Sequence, residues 1–268
     1  MKIETIYQLP QWLDSYIYNS LGAVYYKSCS NMTVIDWGRS EVLNYLGTYF
    51  PRSYVEARSI INSNILHSLK PQNELSILDF GCGTGGEIIG ILTNIEESLP
   101  GIMSVNLIGI DGNQYALKIF EKVLSEYKKH SKLNISYNVA PVIIEDFYDL
   151  SVLDEIITGK FDLIISFKAI CEFVTREQFE GKNPYTHIVN TYLPRLTKNG
   201  LMVLEDVTTY CNVSSEWLPT MMDKGLIKTN SIIVSKNDGY NQTFQIRHSR
   251  VDGYIDISKV CWRIIKNK

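Results

Sequence analysis

The chain has 268 residues, enough for one sizeable α/β domain with an added segment. Hydrophobic residues make up 45% and charged residues 21%, a globular balance, and no run approaches the ~20 apolar residues that span a bilayer. A net charge of −3 and a pI of about 5.9 withhold the basic surplus of a strong nucleic-acid binder, leaving at most a local patch for that role.

Residues 1–70 read as a helical extension. The start, Met1-Lys2-Ile3-Glu4, has an early acid and no apolar run, so no secretory signal is read and a cytoplasmic location is expected. Trp12, Leu13, Tyr16 and Ile17 recur at helical spacing. Gly38 to Phe50 predicts a second helix. Tyr54 to Leu69 predicts a third, with Pro51 where it begins. Tyrosines crowd this region, where they either pack a helical layer or face a ligand.

From Leu75 short apolar runs alternate with helical stretches. Strands are expected at Leu75–Phe80, Val105–Asp111, Ile135–Glu145, Phe161–Phe167 and Leu201–Glu205. Helices are expected at Glu87–Ser98, Gln114–His130, Val152–Ile157 and Tyr185–Leu196. Leu163-Ile164-Ile165 is apolar on both faces, as a central parallel strand must be. The tail reads as strands Ser231–Ser235, Thr243–His248 and Ile255–Ile265, with turns at Asn237-Asp238-Gly239 and Asp252-Gly253. The expected architecture is a doubly wound, mostly parallel seven-stranded sheet with an antiparallel C-terminal end, spanning residues 71–268 behind the 1–70 extension.

Ile77-Leu78-Asp79-Phe80-Gly81-Cys82-Gly83-Thr84-Gly85-Gly86-Glu87 runs from a strand through a glycine turn into a helix. Such a loop ends the first parallel strand, where open α/β sheets bind ligands. Gly81, Gly83 and Gly86 satisfy a dinucleotide pattern. Gly81, Gly83 and Gly85 after Asp79 satisfy a second, D-x-G-x-G-x-G, whose acid is unwelcome beside a pyrophosphate and suits an ammonium and a sulfonium. Asp111, in Ile110-Asp111-Gly112-Asn113, ends the next strand, where a carboxylate can accept both hydroxyls of a ribose. It lies 30 residues beyond Gly81, against about 20 in a dinucleotide fold.

The Asp-Phe-Gly-Cys-Gly-Thr-Gly string resembles class I S-adenosylmethionine-dependent methyltransferases, over roughly residues 72–210. The resemblance implies S-adenosyl-L-methionine (AdoMet) as cofactor and S-adenosyl-L-homocysteine (AdoHcy) as product. It implies cofactor contacts from Asp79, Gly81, Cys82, Gly83, Gly85, Asp111, Gly112 and Asn113. Ile144-Glu145-Asp146-Phe147 then supplies Asp146 to the adenine amino group and Phe147 to the ring. Phe161 to Lys168 matches the fourth strand of that class, whose end, with Ser166 and Phe167, lines the reaction site. Neither Asn-Pro-Pro-Tyr nor a Pro-Cys nucleophile pair is present.

A fainter resemblance, to the ribosomal small-subunit methyltransferase-like family, rests on Tyr49 to Arg58, Cys171-Glu172-Phe173 and Val203 to Thr209. That family's cysteine cluster is missing. The five cysteines, Cys29, Cys82, Cys171, Cys211 and Cys261, are scattered without a C-x-x-C pair. They predict neither a disulfide framework nor a metal site.

A base is needed only if the acceptor holds its proton at neutral pH. Glu172, Glu205 and Asp206 are the candidates. His187 sits on an apolar helical stretch and reads as structural. Lys168 could bind an anionic substrate. Tyr54 and Arg58 fall four apart, on one helical face, from which Arg58 would reach the cofactor carboxylate and Tyr54 the acceptor. Three functions remain open on these residues: methyl transfer to a small molecule or protein, methyl transfer to RNA, and cofactor binding without catalysis in an assembly or regulatory protein. No membrane partner is expected, and the oligomeric state is not read.

Overall fold

The computed structural model describes residues 6–26, 38–70, 73–173, 182–211, 215–237, 242–250 and 255–268. Most of the two tail turns expected at Asn237-Asp238-Gly239 and Asp252-Gly253 lies outside these residues. Among the described residues no helix is long and apolar enough to cross a membrane.

The strands follow the apolar runs. β1 is Ile6–Tyr7, β2 Glu74–Phe80, β3 Ser104–Asp111, β4 Asn134–Pro141, β5 Phe161–Phe167 and β6 Leu196–Val207. β7 (Tyr210–Cys211) and β8 (Glu216–Trp217) form a small ribbon. β9 (Ser231–Lys236), β10 (Gln242–Arg247) and β11 (Ile255–Asn267) complete the main sheet. Its order is β1-β10-β11-β6-β5-β2-β3-β4, with β9 also on β11. The seven strands from β10 to β4 are the expected sheet, parallel from β4 to β6 and antiparallel at β11. β9, expected at Ser231–Ser235, and β1, not expected from the sequence, bring the sheet to nine strands among the described residues. β4 stops at Pro141, short of the expected Glu145, because its partner β3 ends at Asp111 opposite it.

Helices cover both faces. α1 is Gln11–Ser15, α2 Arg39–Ile60, α3 Ser63–Ser68, α4 Gly86–Ser98 and α5 Gln114–His130. α6 is Pro184–Tyr192 and α7 Leu218–Leu226. α5 shows the logic: Asn113 caps its start by accepting the Ala116 N–H at 2.9 Å. Ala116, Leu117, Phe120, Val123, Leu124 and Tyr127 then form its buried stripe. α2, α4 and α5 share one apolar cluster with Leu75, Ile77, Leu163, Ile165 and Val203. α6 and α7 share the opposite one with Leu78, Ile164, Met202 and Leu204. Each strand alternates its side chains between the two.

Three differences have local causes. α2 is one helix, not two, and Pro51 lies inside it. Proline lacks an N–H and strands the carbonyl four residues back; here that carbonyl, Gly47, accepts the Tyr18 hydroxyl at 2.6 Å. Val152–Ile157 forms only a 3₁₀ turn over Ser151–Leu153, its few residues burying Leu153 and Ile157 without a longer stripe. α7 is an element that the sequence pattern does not announce. Its Gly225 packs beneath Asn183, where a Cβ would stand 2.3 Å from the Asn183 Oδ1.

Candidate functional site

The parallel register brings the carboxyl ends of β2, β3, β5 and β6 to one edge of the sheet. Phe80 lies beside Ile110, Asp79 beside Ile165, and Phe167 beside Glu205. Between β2 and α4 the chain makes three left-handed steps, with φ of 80° at Gly81, 47° at Gly83 and 81° at Gly85. A Cβ at Gly85 would stand 2.0 Å from the Phe120 ring, whereas at Gly83 the nearest atom is the Tyr45 ring at 3.7 Å. Crowding therefore requires glycine at 85, and backbone conformation alone favours it at 83. The bare amide groups of this turn and the start of α4 make a positive, ligand-accepting edge.

Asp111 closes the loop. Its Oδ2 accepts the Gly83 N–H and its Oδ1 the Asn113 N–H, both at 2.8 Å. Each oxygen keeps a lone pair for a further donor. Burial pushes its pKa up, and the two N–H groups oppose the rise. Cys82 is buried with its thiol against Gly109, where a Cβ would stand 3.1 Å from the sulfur. Burial, with Asp79, Asp111 and Glu87 nearby, raises the thiol's pKa, so it reads as packing and not as a nucleophile.

Behind the loop lies an acidic interior. Asp79 is fully buried and no donor reaches either of its oxygens. Its neighbour is another carboxyl group, Glu87 on α4, so the two can bond each other only when one holds a proton. Desolvation and this mutual repulsion hold Asp79 well above the carboxylate range. Burial pushes Glu87 to about 7. Glu205, at the end of β6, is 2% exposed, and neither of its oxygens has a hydrogen-bond partner. Burial and the Glu56 carboxylate drive its pKa up.

Lys168 follows β5 with φ of +53°, uncommon for a side-chain-bearing residue. Its backbone N–H donates to the Glu205 carbonyl at 2.9 Å. Its ammonium pairs with the buried Glu56 of α2, which also accepts the Ser258 hydroxyl. Burial works against that charge, and Glu56, Glu205 and Glu87 outweigh it, so Lys168 titrates above its ordinary value. Already paired inward, it is not placed as a free receptor for an anionic substrate.

Other expected residues are placed differently. Asp206 points to the opposite face, where Tyr185 Oη donates to it at 2.8 Å and the Cys171 N–H at 3.1 Å. Those bonds anchor the turn Ile170–Phe173 to α6 and leave no free base. Ser166 also faces away, its Oγ buried without a partner. Glu172 is exposed to solvent in the turn after β5; partial desolvation, with Asp206 and Asp111 close by, brings it to about 7. Asp146 is exposed and accepts the Tyr148 N–H at 2.8 Å. The Phe147 ring is turned inward against Phe173, with centroids 4.8 Å apart. His187 is half-buried edge-on to Phe147 and Tyr148, and burial lowers its pKa. Arg58 bonds Tyr54 Oη at 3.2 Å and pairs with Glu97 near the far end of α4. Twelve residues of helix separate Glu97 from Gly85, about 18 Å at 1.5 Å each, so the Arg58 guanidinium is not brought to the loop; Tyr54, bonded to it, packs along α4 at Gly90. A shallow cavity of about 380 Å³ between Lys70, Asp162 and Lys198 lies at the opposite, amino-terminal edge of the sheet.

Four site residues are not among those the sequence singles out: Glu56, Glu87, Tyr45 and Ser258. Glu56 has a trace in the sequence, an acid inside the apolar run Tyr54-Val55-Glu56-Ala57. Tyr45 feels Glu87, Asp111, Glu172 and Glu56, and burial together with these charges raises its pKa far above the phenol range.

No family model matches the chain, and no curated protein matches it. Solved structures are similar in outline. One is a candidate class I S-adenosylmethionine-dependent methyltransferase of Listeria monocytogenes, 12% identical over 87% of this chain and 69% of its own, with a TM-score of 0.48. A second is coclaurine N-methyltransferase bound to N-methylheliamine and SAH, 14% identical over 91% and 62%, TM-score 0.44. A third is a candidate rRNA methylase of Clostridium thermocellum, 11% identical over 77% and 96%, TM-score 0.46. At such values the Rossmann-like assignment rests on the strand order and the loop geometry, which are those expected from the motifs above.

Proposed function

We propose that this chain, on a Rossmann-like fold of the class I methyltransferase type, binds AdoMet at the carboxyl edge of its sheet and methylates a small molecule. The observation that carries this reading is Asp79, a fully buried carboxyl group without a donor, set behind three left-handed glycines. Burial without a donor keeps this carboxyl group protonated, and a ligand that brings positive charge would let it ionise. A dinucleotide brings the opposite sign. AdoMet fits: Asp111 and Asn113 face its ribose, the glycine turn its backbone-hugging part, and Asp79 with Glu87 its cationic end. Bound there, it supplies an electrophilic methyl group on a sulfonium whose departure leaves a neutral thioether.

The protein's own work is to position, dry and deprotonate. Phe80 and Phe167 wall off the strand ends from water. Glu172, at about 7 and exposed in the turn after β5, is suited to take a proton from an acceptor. The amino-terminal half of α2 covers the glycine turn, with the Tyr45 ring over Gly83. An edge this rich in carboxyl groups repels the phosphates of an RNA acceptor, which supports a small molecule. The four described free cysteines suit the cytoplasm.

Titration calorimetry with AdoMet, AdoHcy and NAD tests the cofactor. AdoHcy at 100 times its Kd should stabilise the fold by roughly 2.7 kcal/mol. Tight NAD binding with neither AdoMet nor AdoHcy bound would sink the proposal.

A further inference from the structure

We infer that the methyl acceptor is an amine, received as its ammonium by the Glu205 carboxyl group at the end of β6; this rests on the methyl-transfer reading above. In the sheet, Glu205 lies two strands from Asp79 and three from Asp111. At about 4.8 Å per strand, that is roughly 10 and 14 Å from two of the groups assigned to the cofactor; a third, Glu87, is within electrostatic reach. Glu205 therefore stands beside the cofactor site and not within it.

The charge count around Glu205 is incomplete. Its neighbours are Glu56, Lys168, Glu87 and, on the opposite face, Asp206. Lys168 is the cation of this group, and its bond goes to Glu56, which Ser258 also holds. Asp206 is satisfied by Tyr185 and the Cys171 N–H. Of this group Glu205 alone makes no bond, at 2% exposure with both oxygens unpartnered. Two carboxyl groups face one ammonium, which is bonded to Glu56; Glu205 keeps its proton for want of a cation and would ionise against a second one. An alcohol would bring one donor and no charge; a carboxylate acceptor would add repulsion.

The proton account then closes at Glu172. The ammonium gives one proton to the Glu172 carboxylate and becomes a free amine with a lone pair. That lone pair forms the N–C bond to the methyl group as the C–S bond breaks, its electron pair staying on sulfur. The product is the N-methylated ammonium and a thioether.

The test uses the full chain saturated with AdoHcy and measures binding by calorimetry. Phenethylamine, histamine and putrescine are compared with 2-phenylethanol and phenylacetate. At least one amine should bind, and more tightly than the alcohol or the acid. Glu205→Gln should weaken that amine roughly 10- to 100-fold while AdoHcy affinity stays within about twofold. Glu205→Asp, which keeps the charge, should recover part of the loss. The Gln variant is isosteric with the protonated carboxyl group and replaces a buried acid that makes no bond, so its melting temperature should not fall, and a folding defect cannot mimic the result. Three results would overturn the inference: no amine bound, alcohol bound as well as amine, or AdoHcy weakened by Glu205→Gln as much as the amine. No AdoHcy binding in the wild-type chain is a different failure, that of the cofactor reading.

Discussion

Asp111 accepts the Gly83 N–H at 2.8 Å, so the carboxylate that ends β3 also holds the glycine turn that follows β2. The proposed cofactor contact and the loop's shape thus depend on one side chain. Asp111→Ala removes both and strands the Gly83 N–H, at a cost of about 1–3 kcal/mol in stability. Asp111→Asn keeps an acceptor oxygen for Gly83 and loses the charge. Both variants should weaken AdoHcy binding, by roughly 10- to 100-fold, and the Ala variant alone should lower the urea midpoint. Wild-type affinity in the Asn variant would remove Asp111 from the cofactor site.

The loop glycines should separate into two kinds. Gly85→Ala drives a Cβ into the Phe120 ring and strains a backbone at φ 81°. Overpacking and left-handed strain together cost about 2–5 kcal/mol. Gly83→Ala meets nothing closer than the Tyr45 ring at 3.7 Å and should cost only about 1–2 kcal/mol. Urea denaturation of the pair checks this; equal losses would mean that the loop is not packed as described.

Acidic pH should stabilise the protein without its ligand. Glu87 and Glu172 rise to about 7, and Asp79 and Glu205 are pushed the same way, all chiefly by burial. Between the ordinary carboxyl range and about 7 the folded chain then holds protons that the unfolded chain has released, so stability falls as pH rises through that window. His187, lowered by burial, works in the opposite sense. The melting temperature should therefore drop from about pH 5 to about pH 7.5, by about 2–4 °C per kcal/mol. Glu87→Gln and Glu205→Gln should each flatten the slope. A slope unchanged in both variants would show that the carboxyl cluster does not cause it.

A second buried network ties α2 to the C-terminal strands. Arg52 grips Asp256 with two bonds of 2.6 and 3.0 Å, and His248 Nε2 meets the same carboxylate at 3.1 Å. Against the upward pull of burial, these partners hold Asp256 at about 2. The network's stability is present at neutral pH and is lost as pH falls from the ordinary carboxyl range through about 2. Asp256→Asn leaves Arg52 without a counter-charge and should cost about 3–5 kcal/mol. Because Arg52 lies one helical turn before Glu56, the variant should also loosen the Lys168–Glu56 pair, read as weaker amine binding with AdoHcy affinity kept. A melting temperature near wild type would refute the network's role.

Much of the fold was legible because strand and helix periodicity are local properties. Phe161–Phe167 and Gln114–His130 come out residue for residue, since continuous apolar burial and a capped amphipathic stripe leave little choice. The glycine turn was legible for the same reason: φ above zero is written in the residue type. Pro51 misled because its remedy, the Tyr18 hydroxyl on the Gly47 carbonyl, comes from 29 residues away. Asp206 and Glu205 are neighbours in the chain with equal claims to be a base, and only strand alternation sends one to Tyr185 and the other to the empty end of an ion pair. The sequence by itself determined where the glycine turn and the strand ends beside it would lie, because those depend on residue type and order. Which carboxyl groups stand unpaired was decided only by the packing of α2 and β11 over the strand ends, since pairing depends on distance in space and not along the chain.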